Sequence, residues 1–582
     1  MFDLAALSAY ADQSEEQNPE NDPLNTEPKE KYPWSAQQLA IFDEFKNRNS
    51  GNLIIIARAG SAKTSSAIEG GRHAPEREII YAAFGKRIAK ELSARIFDDR
   101  CSAQTIHSMG ARLIREHRKI DVTPDIQYIR ANRAITEYFA VNHQDSEAEK
   151  YITDESWIVV KLVEYVKGMA PYAGSIDEVI DVSDKMNITR IPPDRKKKWP
   201  KNLKPIIEVV AEIVIINLHN VMEEALIKTG RVLPIDFNDM IWLPVICGWL
   251  KPIYSLVVID EVQDLNVTQL EIAAGICNGR VVLIGDPMQA IYAWRGADSN
   301  GMARMTELLN CKELYLTTSF RCPKSVVKLA QRYCPDFEAW DKAIEGEVKN
   351  ISYDKMFDIV QDGDFVISRT NAPLMGICLR LIAQGRRAMM AGNDIGLKLL
   401  KIVEKLEKDV PFQNARDMWG RLLLWAKAEK DKAAEDVAKK FAKAKQKRID
   451  EEIKIRQSLV DDEIGMFRHM LGQLETPQKV KDQLRRLFER DDKEDLDRSH
   501  YTLCSSVHKI KGLEAENVFV LADTLRTKNQ EERNIAYVAT TRSKNRLYMC
   551  YAHEEQLAQV EEERKMCVEY CYDDEDEEDD VA

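Results

Sequence analysis

The chain lacks the cysteine pattern of a metal scaffold: none of its 11 cysteines forms a C-x-x-C pair, and only Cys567 and Cys571 lie close, with three residues between them. Zinc or iron–sulfur ligation needs about four ligands at compact spacing, so the pattern reads as reduced thiols of a cytoplasmic protein. A basic leader is missing too, since the chain opens MFDLAALSAYADQSEE. Long apolar runs are absent as well. IWLPVICGWL from Ile241 is too short to span a bilayer and is interrupted by Pro244 and Gly248, so no membrane association is expected. Nor is there the excess of positive charge common in nucleic-acid binders, because the formal net charge is −13. That deficit is local. Residues 1–30 hold eight acids against one lysine and Asp573–Asp580 is acidic throughout; residues 31–572 carry +2. A nearly neutral body can hold a basic groove, because phosphate contacts are local.

At 582 residues the chain has room for roughly three to five domains. Residues 1–30 are polar and aperiodic and read as a disordered acidic leader. Apolar runs that end in loops then alternate with helical patterns: LIIIARAG from Leu53, SLVVIDE from Ser255 and VVLIGD from Val281. This texture predicts an α/β domain with a mainly parallel sheet, over residues 31–120 and 231–313. A helical insert is expected at 121–230, carrying the basic cluster RKKKWPKNLK from Arg195, which suits duplex phosphates or a solvated loop. A second α/β unit is expected at 314–396 and 498–560, from LYLTTSF, DFVISR and NVFVLAD. Residues 397–497 are Ala/Lys/Glu-rich and read as a small helical accessory insert with a long helix from Ala426. Residues 561–582 form an acidic tail, which leaves room for a basic protein partner or a purely solubilising role.

The chemistry is written in two segments. In NLIIIARAGSAKTSS a buried strand meets a small-residue loop, and Lys63-Thr64 opens a helix. Triphosphate binding needs backbone N–H groups converging at a helix N-terminus, a lysine on the β- and γ-phosphates and a hydroxyl on Mg²⁺. Ala59, Gly60, Ser61, Ala62, Lys63, Thr64 and Ser65 would form that loop. The usual glycine before the lysine is Ala62, which fits a helical φ and is strained at a positive one. The second segment is the apolar run Leu256–Ile259 ending in Asp260-Glu261-Val262-Gln263-Asp264. Carboxylates at the C-terminal end of a parallel strand suit a Mg²⁺ ligand, Asp260, and a group that polarises the attacking water, Glu261; helix capping is the plainer alternative.

Beyond these, GDPMQAIYAWRGA from Gly285 resembles the third motif of UvrD/Rep-type superfamily 1 DNA helicases. AQQLA around Gln37 resembles their adenine-reading motif, ARAGSAKT the Walker A loop and DEVQD the Walker B motif. TSFRCP around Arg321, VHKIKGLEAENVFVL from Val507 and YVATTRSKNRLYM from Tyr537 resemble the fourth to sixth, while AAFGKRIAKEL and TIHSMG resemble two DNA-contacting motifs. The resemblance implies two RecA-like motor domains, each with a helical insertion, and an ATP- and Mg²⁺-dependent helicase moving 3′→5′ on single-stranded DNA. It implies that Gln37 reads adenine, Phe320 stacks on it, Glu514 contacts the ribose, Gln289 senses the γ-phosphate, and Arg321 and Arg542 act as arginine fingers. It assigns Phe84, His107, Tyr292, Trp294, Arg295 and His508 to DNA, including single-strand/duplex junctions. A nucleotide-gated DNA-binding or protein-stripping module without processive unwinding, and an RNA motor, remain open alternatives.

Overall fold

The computed structural model describes residues 33–552 outside the stretches 143–148, 189–205, 293–300, 441–452 and 489–497 and some shorter ones. The expected leader, tail and basic cluster lie outside the described residues, as do Trp294 and Arg295.

The first unit is built on β1 (Leu53–Ala57), β2 (Ile79–Ala83) and β3 (Cys101–Thr105). A separate pair, β4 (Ile120–Val122) and β5 (Leu233–Ile235), brackets the helical insert. Strands β6 (Tyr254–Ile259), β7 (Cys277–Gly285) and β8 (Lys312–Leu316) complete a sheet ordered β3-β2-β6-β7-β1-β8, with every neighbour parallel. Its inner strands are apolar over their buried stretches because both faces are covered. Ile54, Val257, Ile259 and Leu283 pack into one core, while Leu53, Ile55, Leu256, Val258, Val282 and Ile284 pack into the opposite one. Parallel pairing brings the C-terminal ends of β1, β6 and β7 to one edge, and this edge carries both proposed chemical segments.

The helices Ile126–Asn142, Ser156–Met169, Ile176–Lys185 and Ile206–Leu226 share a core with Trp242 and Leu243. Buried charge fastens this insert to the first unit: Asp239 accepts from Lys167 at 2.5 Å and from Arg130 at 2.7 Å. Each ion here is paired, and removing one partner would strand the other in a dry site.

After Leu316 the chain crosses over. The short strands β9 (Thr318–Ser319) and β10 (Glu338–Ala339) pair with each other. The second large sheet contains β11 (Glu347–Ser352), β12 (Phe365–Ser368), β13 (Ala388–Met390), β14 (Thr502–Ser506), β15 (Ala515–Leu521) and β16 (Ser543–Tyr551). It is ordered β11-β16-β15-β12-β14-β13 and is again parallel throughout. Between β13 and β14 lie the helices Asp394–Glu407, Ala415–Lys440 and Pro477–Phe488.

One boundary differs from the expectation. Leu314–Leu316, assigned to the second unit from the sequence, pair with Ile55–Ala57 as the edge strand of the first sheet. An apolar run announces a strand but not the sheet it joins, so the crossing lies between Leu316 and Thr318. Among the described residues no helix is long and apolar enough to cross a membrane.

Candidate active site

The phosphate-loop candidate turns from β1 into the helix Lys63–His73. Ala62 adopts φ 59° and ψ 34°, the left-handed region where a glycine would sit without strain. The side chain costs about 1–2 kcal/mol there, so the surroundings must hold the turn. They do so through several bonds: the Ser66 amide and hydroxyl donate to the Ala62 carbonyl at 2.9 and 3.0 Å, and Gln38 Nε2 donates to Ser66 Oγ at 2.9 Å. Gly60 is required for a different reason, because a Cβ there would lie 2.6 Å from both Arg321 Cβ and Ser319 Oγ.

Asp260 and Glu261 close the end of β6. Thr64 Oγ1 donates to Asp260 Oδ2 at 2.7 Å, and Lys63 Nζ pairs with Glu261 Oε1 at 2.6 Å. Gln263 Nε2 donates to the other Glu261 oxygen at 2.5 Å. Burial works against the Glu261 charge, but Lys63 and Lys511 outweigh it and hold the carboxyl at about 2. Asp260 goes the other way, raised by burial and by repulsion from Glu261. The paired oxygens of Thr64 and Asp260 suit a hard divalent cation that keeps phosphate and water as its other ligands. Among the described residues there is no group of three or more acidic, His or Cys side chains for a self-sufficient metal centre.

From the second unit, Arg321 meets Glu514, whose other oxygen takes Lys544 at 2.8 Å. Glu514, matched to a ribose contact, thus engages both oxygens with cations, and these outweigh burial to keep its carboxyl below the usual range. Arg542 is 1% exposed. Burial and the neighbouring Arg321 bring its pKa down to about 10. Phe320 lies half-buried with its ring 6.0 Å from Trp340, and its amide donates to the Gly60 carbonyl at 2.9 Å. Gln37 is held by Thr317 from both sides of its amide, at 2.8 and 3.0 Å. Gln289 Nε2 donates to Asp286 Oδ2 at 2.7 Å. Ser65 accepts from Arg95 at 2.7 Å.

The comparisons with known proteins agree with this layout. The sequence model of the UvrD/REP helicase N-terminal domain matches residues 36–310, and that of the UvrD-like helicase C-terminal domain matches residues 501–550. The chain belongs to the UvrD/Rep helicase family. It is 26% identical over 289 residues to a probable DNA helicase II homolog of Rickettsia conorii, covering 46% of this chain and 39% of that protein. It is 22% identical over 552 residues to F-box DNA helicase 1 of Gallus gallus, covering 87% of this chain and 48% of that protein. It is 30% identical over 108 residues to the ATP-dependent DNA helicase Rep of Buchnera aphidicola, covering 16% and 17%. These matches span less than half the length of the relatives concerned.

Of the residues matched to DNA contacts in this UvrD/Rep-family chain, Phe84 and His107 follow β2 and β3 and are half-buried. Burial lowers the His107 pKa, favouring a neutral imidazole. Tyr292 donates from its hydroxyl to the His508 carbonyl at 2.9 Å, and its ring lies 6.1 Å from the His508 ring, so these two meet across the units.

Sequence reasoning missed two residues here. Lys511 donates to both oxygens of Asp264, at 2.6 and 2.7 Å, and to the Gln289 carbonyl at 2.7 Å, tying the second unit to the acidic loop of the first. It stood inside the string VHKIKGLEAENVFVL, but nothing in that string shows what it reaches. Phe237 is 55% exposed and meets the His107 ring edge-on at 6.5 Å. A lone Phe after Asp236 carries no pattern that separates it from a core residue.

Proposed function

We propose that this chain is an ATP-driven motor that moves 3′→5′ on single-stranded DNA and unwinds duplex at single-strand/duplex junctions. The observation that carries the reading is a convergence of side chains from both units: Lys63, Thr64, Asp260 and Glu261 come from the first, while from the second Arg321 packs against Gly60 and the buried Arg542 lies within electrostatic reach of Glu261.

In this reading the loop amides from Gly60 to Thr64 and the Lys63 ammonium bind the β- and γ-phosphates of ATP. Thr64 and Asp260 would hold Mg²⁺, which screens phosphate charge when bound. Glu261 orients the attacking water; once Lys63 turns from this carboxylate to the phosphates, the charge that holds its pKa at about 2 is withdrawn and its basicity rises toward that needed to take the proton. Arg321 and Arg542 neutralise charge that develops on the transferred phosphoryl group. Because these arginines belong to the other unit, turnover is coupled to closure of the cleft, and alternating grip on the strand converts closure into stepping.

The deciding measurement is steady-state ATPase with single-stranded DNA, RNA or neither, followed by unwinding of duplexes with 3′ or 5′ tails. Stimulation by DNA and unwinding only from a 3′ tail are expected. Stimulation by RNA alone would make it an RNA motor, and DNA stimulation without unwinding would make it a protein-stripping or gated binding module.

Phe237 supplies a test of the DNA-contacting surface. Its exposed ring beside His107 offers a face for a base, and such stacking is worth roughly 1–3 kcal/mol. Phe237→Ala should therefore weaken single-strand affinity by about 5- to 150-fold without changing thermal stability. Unchanged affinity in an anisotropy titration would remove Phe237 from that surface.

A further inference from the structure

Arg58 stands between β1 and the phosphate loop, at a position for which the loop chemistry makes no demand. Each of its three guanidinium nitrogens is nevertheless engaged. Nε donates to Asp336 Oδ1 and Oδ2 at 3.1 and 3.2 Å, and Nη2 donates to Asp336 Oδ2 at 2.7 Å. The remaining arm, Nη1, donates to Asp286 Oδ1 at 3.2 Å. Asp286 is completely buried and its second oxygen holds the Gln289 amide. Asp336 belongs to the second unit, whose core takes in its neighbours Cys334 and Phe337.

The location of this fork matters. The Arg58 amide donates to the Leu316 carbonyl at 2.8 Å, and the Glu338 amide donates to the Thr317 carbonyl at 3.1 Å, so both partners flank the crossing between the units. The next residue repeats the arrangement, because the Ala59 amide donates to the buried Tyr537 hydroxyl of the second unit at 3.0 Å. From Asp286 a further line of bonds reaches the acidic loop: its amide donates to Gln263 Oε1 at 3.1 Å, and Gln263 Nε2 reaches Glu261.

We infer that Arg58 is a positioning residue for ATP turnover, a hinge-side tie that fixes Asp286, and through it Gln289, relative to the second unit. This rests on the reading of the cleft as an ATPase site. Only a planar fork can grip one carboxylate with two N–H groups and a second carboxylate with a third; a lysine ammonium would supply the charge without that geometry. A tie near the crossing also persists while the cleft opens and closes, so its effect falls on the alignment of Gln289 more than on nucleotide binding.

The test uses Arg58→Lys, Asp336→Asn and the double variant in the full chain, with Lys63→Ala alongside. Misalignment of about 1 Å can cost up to 100-fold in rate, and a partial loosening should cost about tenfold. Each single variant should lower kcat about tenfold with KM for ATP changed less than about twofold, and the double variant should be no slower than the singles. Thermal stability of Asp336→Asn should match the wild type, because Asp336 is partly exposed. Wild-type kcat in Asp336→Asn would overturn the inference, leaving Arg58 as a mere counter-charge for Asp286. So would full activity in Arg58→Lys, or a fall in melting temperature that tracks kcat across the variants. Turnover that survives in Lys63→Ala would instead strike at the ATPase reading of the cleft.

Discussion

Lys63→Ala and Glu261→Gln should both stop ATP turnover, and should do so in distinguishable ways. Lys63 sits against Glu261 at 2.6 Å and, although burial opposes it, the charges of Glu261 and Asp260 raise its pKa, so it is a fixed cation at the mouth of the loop. A phosphate contact of this kind is charge-assisted and worth about 1.5–3 kcal/mol, so its removal should weaken nucleotide binding about 10- to 150-fold. In the proposed mechanism Glu261 acts on the water. Its loss should lower kcat by about 10²- to 10⁴-fold, the usual contribution of a positioned base, while nucleotide affinity holds or rises because a negative charge beside the phosphates is gone. The Glu261 backbone, at φ 55°, should tolerate glutamine as it tolerates glutamate, so the fold is undisturbed. Nucleotide affinity and kcat measured on both variants decide the matter. Wild-type turnover in either one would sink the role given to that residue.

The pH dependence of the same pair has a definite sign. Glu261 is held at about 2 in the folded chain against the ordinary 4.5 of a free glutamate, so its ionisation stabilises the fold above that ordinary value. This contribution is lost as pH falls through the interval down to about 2. Lys63→Ala removes the foremost of the charges that outweigh burial, and the contribution should shrink with it.

Much of the architecture could be read from the chain because buried parallel strands are apolar on both faces. Leu53–Ala57 and Leu256–Ile259 stand out as uninterrupted runs, and the loops that follow them carry Lys63 and Asp260. What escaped reading was whatever depends on position in space. The edge strand β8 looks like any other apolar run, and its pairing with β1 lies in hydrogen bonds that leave no mark on composition. The left-handed turn at Ala62 could be posed only as a condition, because alanine itself does not request it. Arg58 meets Asp336 across 278 residues and Lys511 meets Asp264 across 247. At such separations an Arg or Lys has many acids to choose from, and only the fold selects one.

Arg542 shows the same limit and yields the other large effect. It is a buried cation whose hydrogen bonds go to the Val538 carbonyl at 2.9 Å and to Thr541 Oγ1 at 3.2 Å, neither of them a carboxylate. Burial and Arg321 together disfavour its charge, which is why its pKa falls to about 10. A charge held this way costs stability at neutral pH, and an anion entering the cleft would offset the cost. Arg542→Met keeps most of the apolar stem and removes the charge. Replacing a buried ion by an apolar side chain of similar volume is commonly neutral or stabilising, so the melting temperature should hold or rise. ATP turnover should fall by about 10³-fold or more, as expected when an arginine that acts on transferring phosphate is lost. The two readouts separate the roles. A variant that melts early and loses activity in proportion would mark Arg542 as structural, and a variant within about threefold of wild-type kcat would show that it does not act on the reacting phosphate at all.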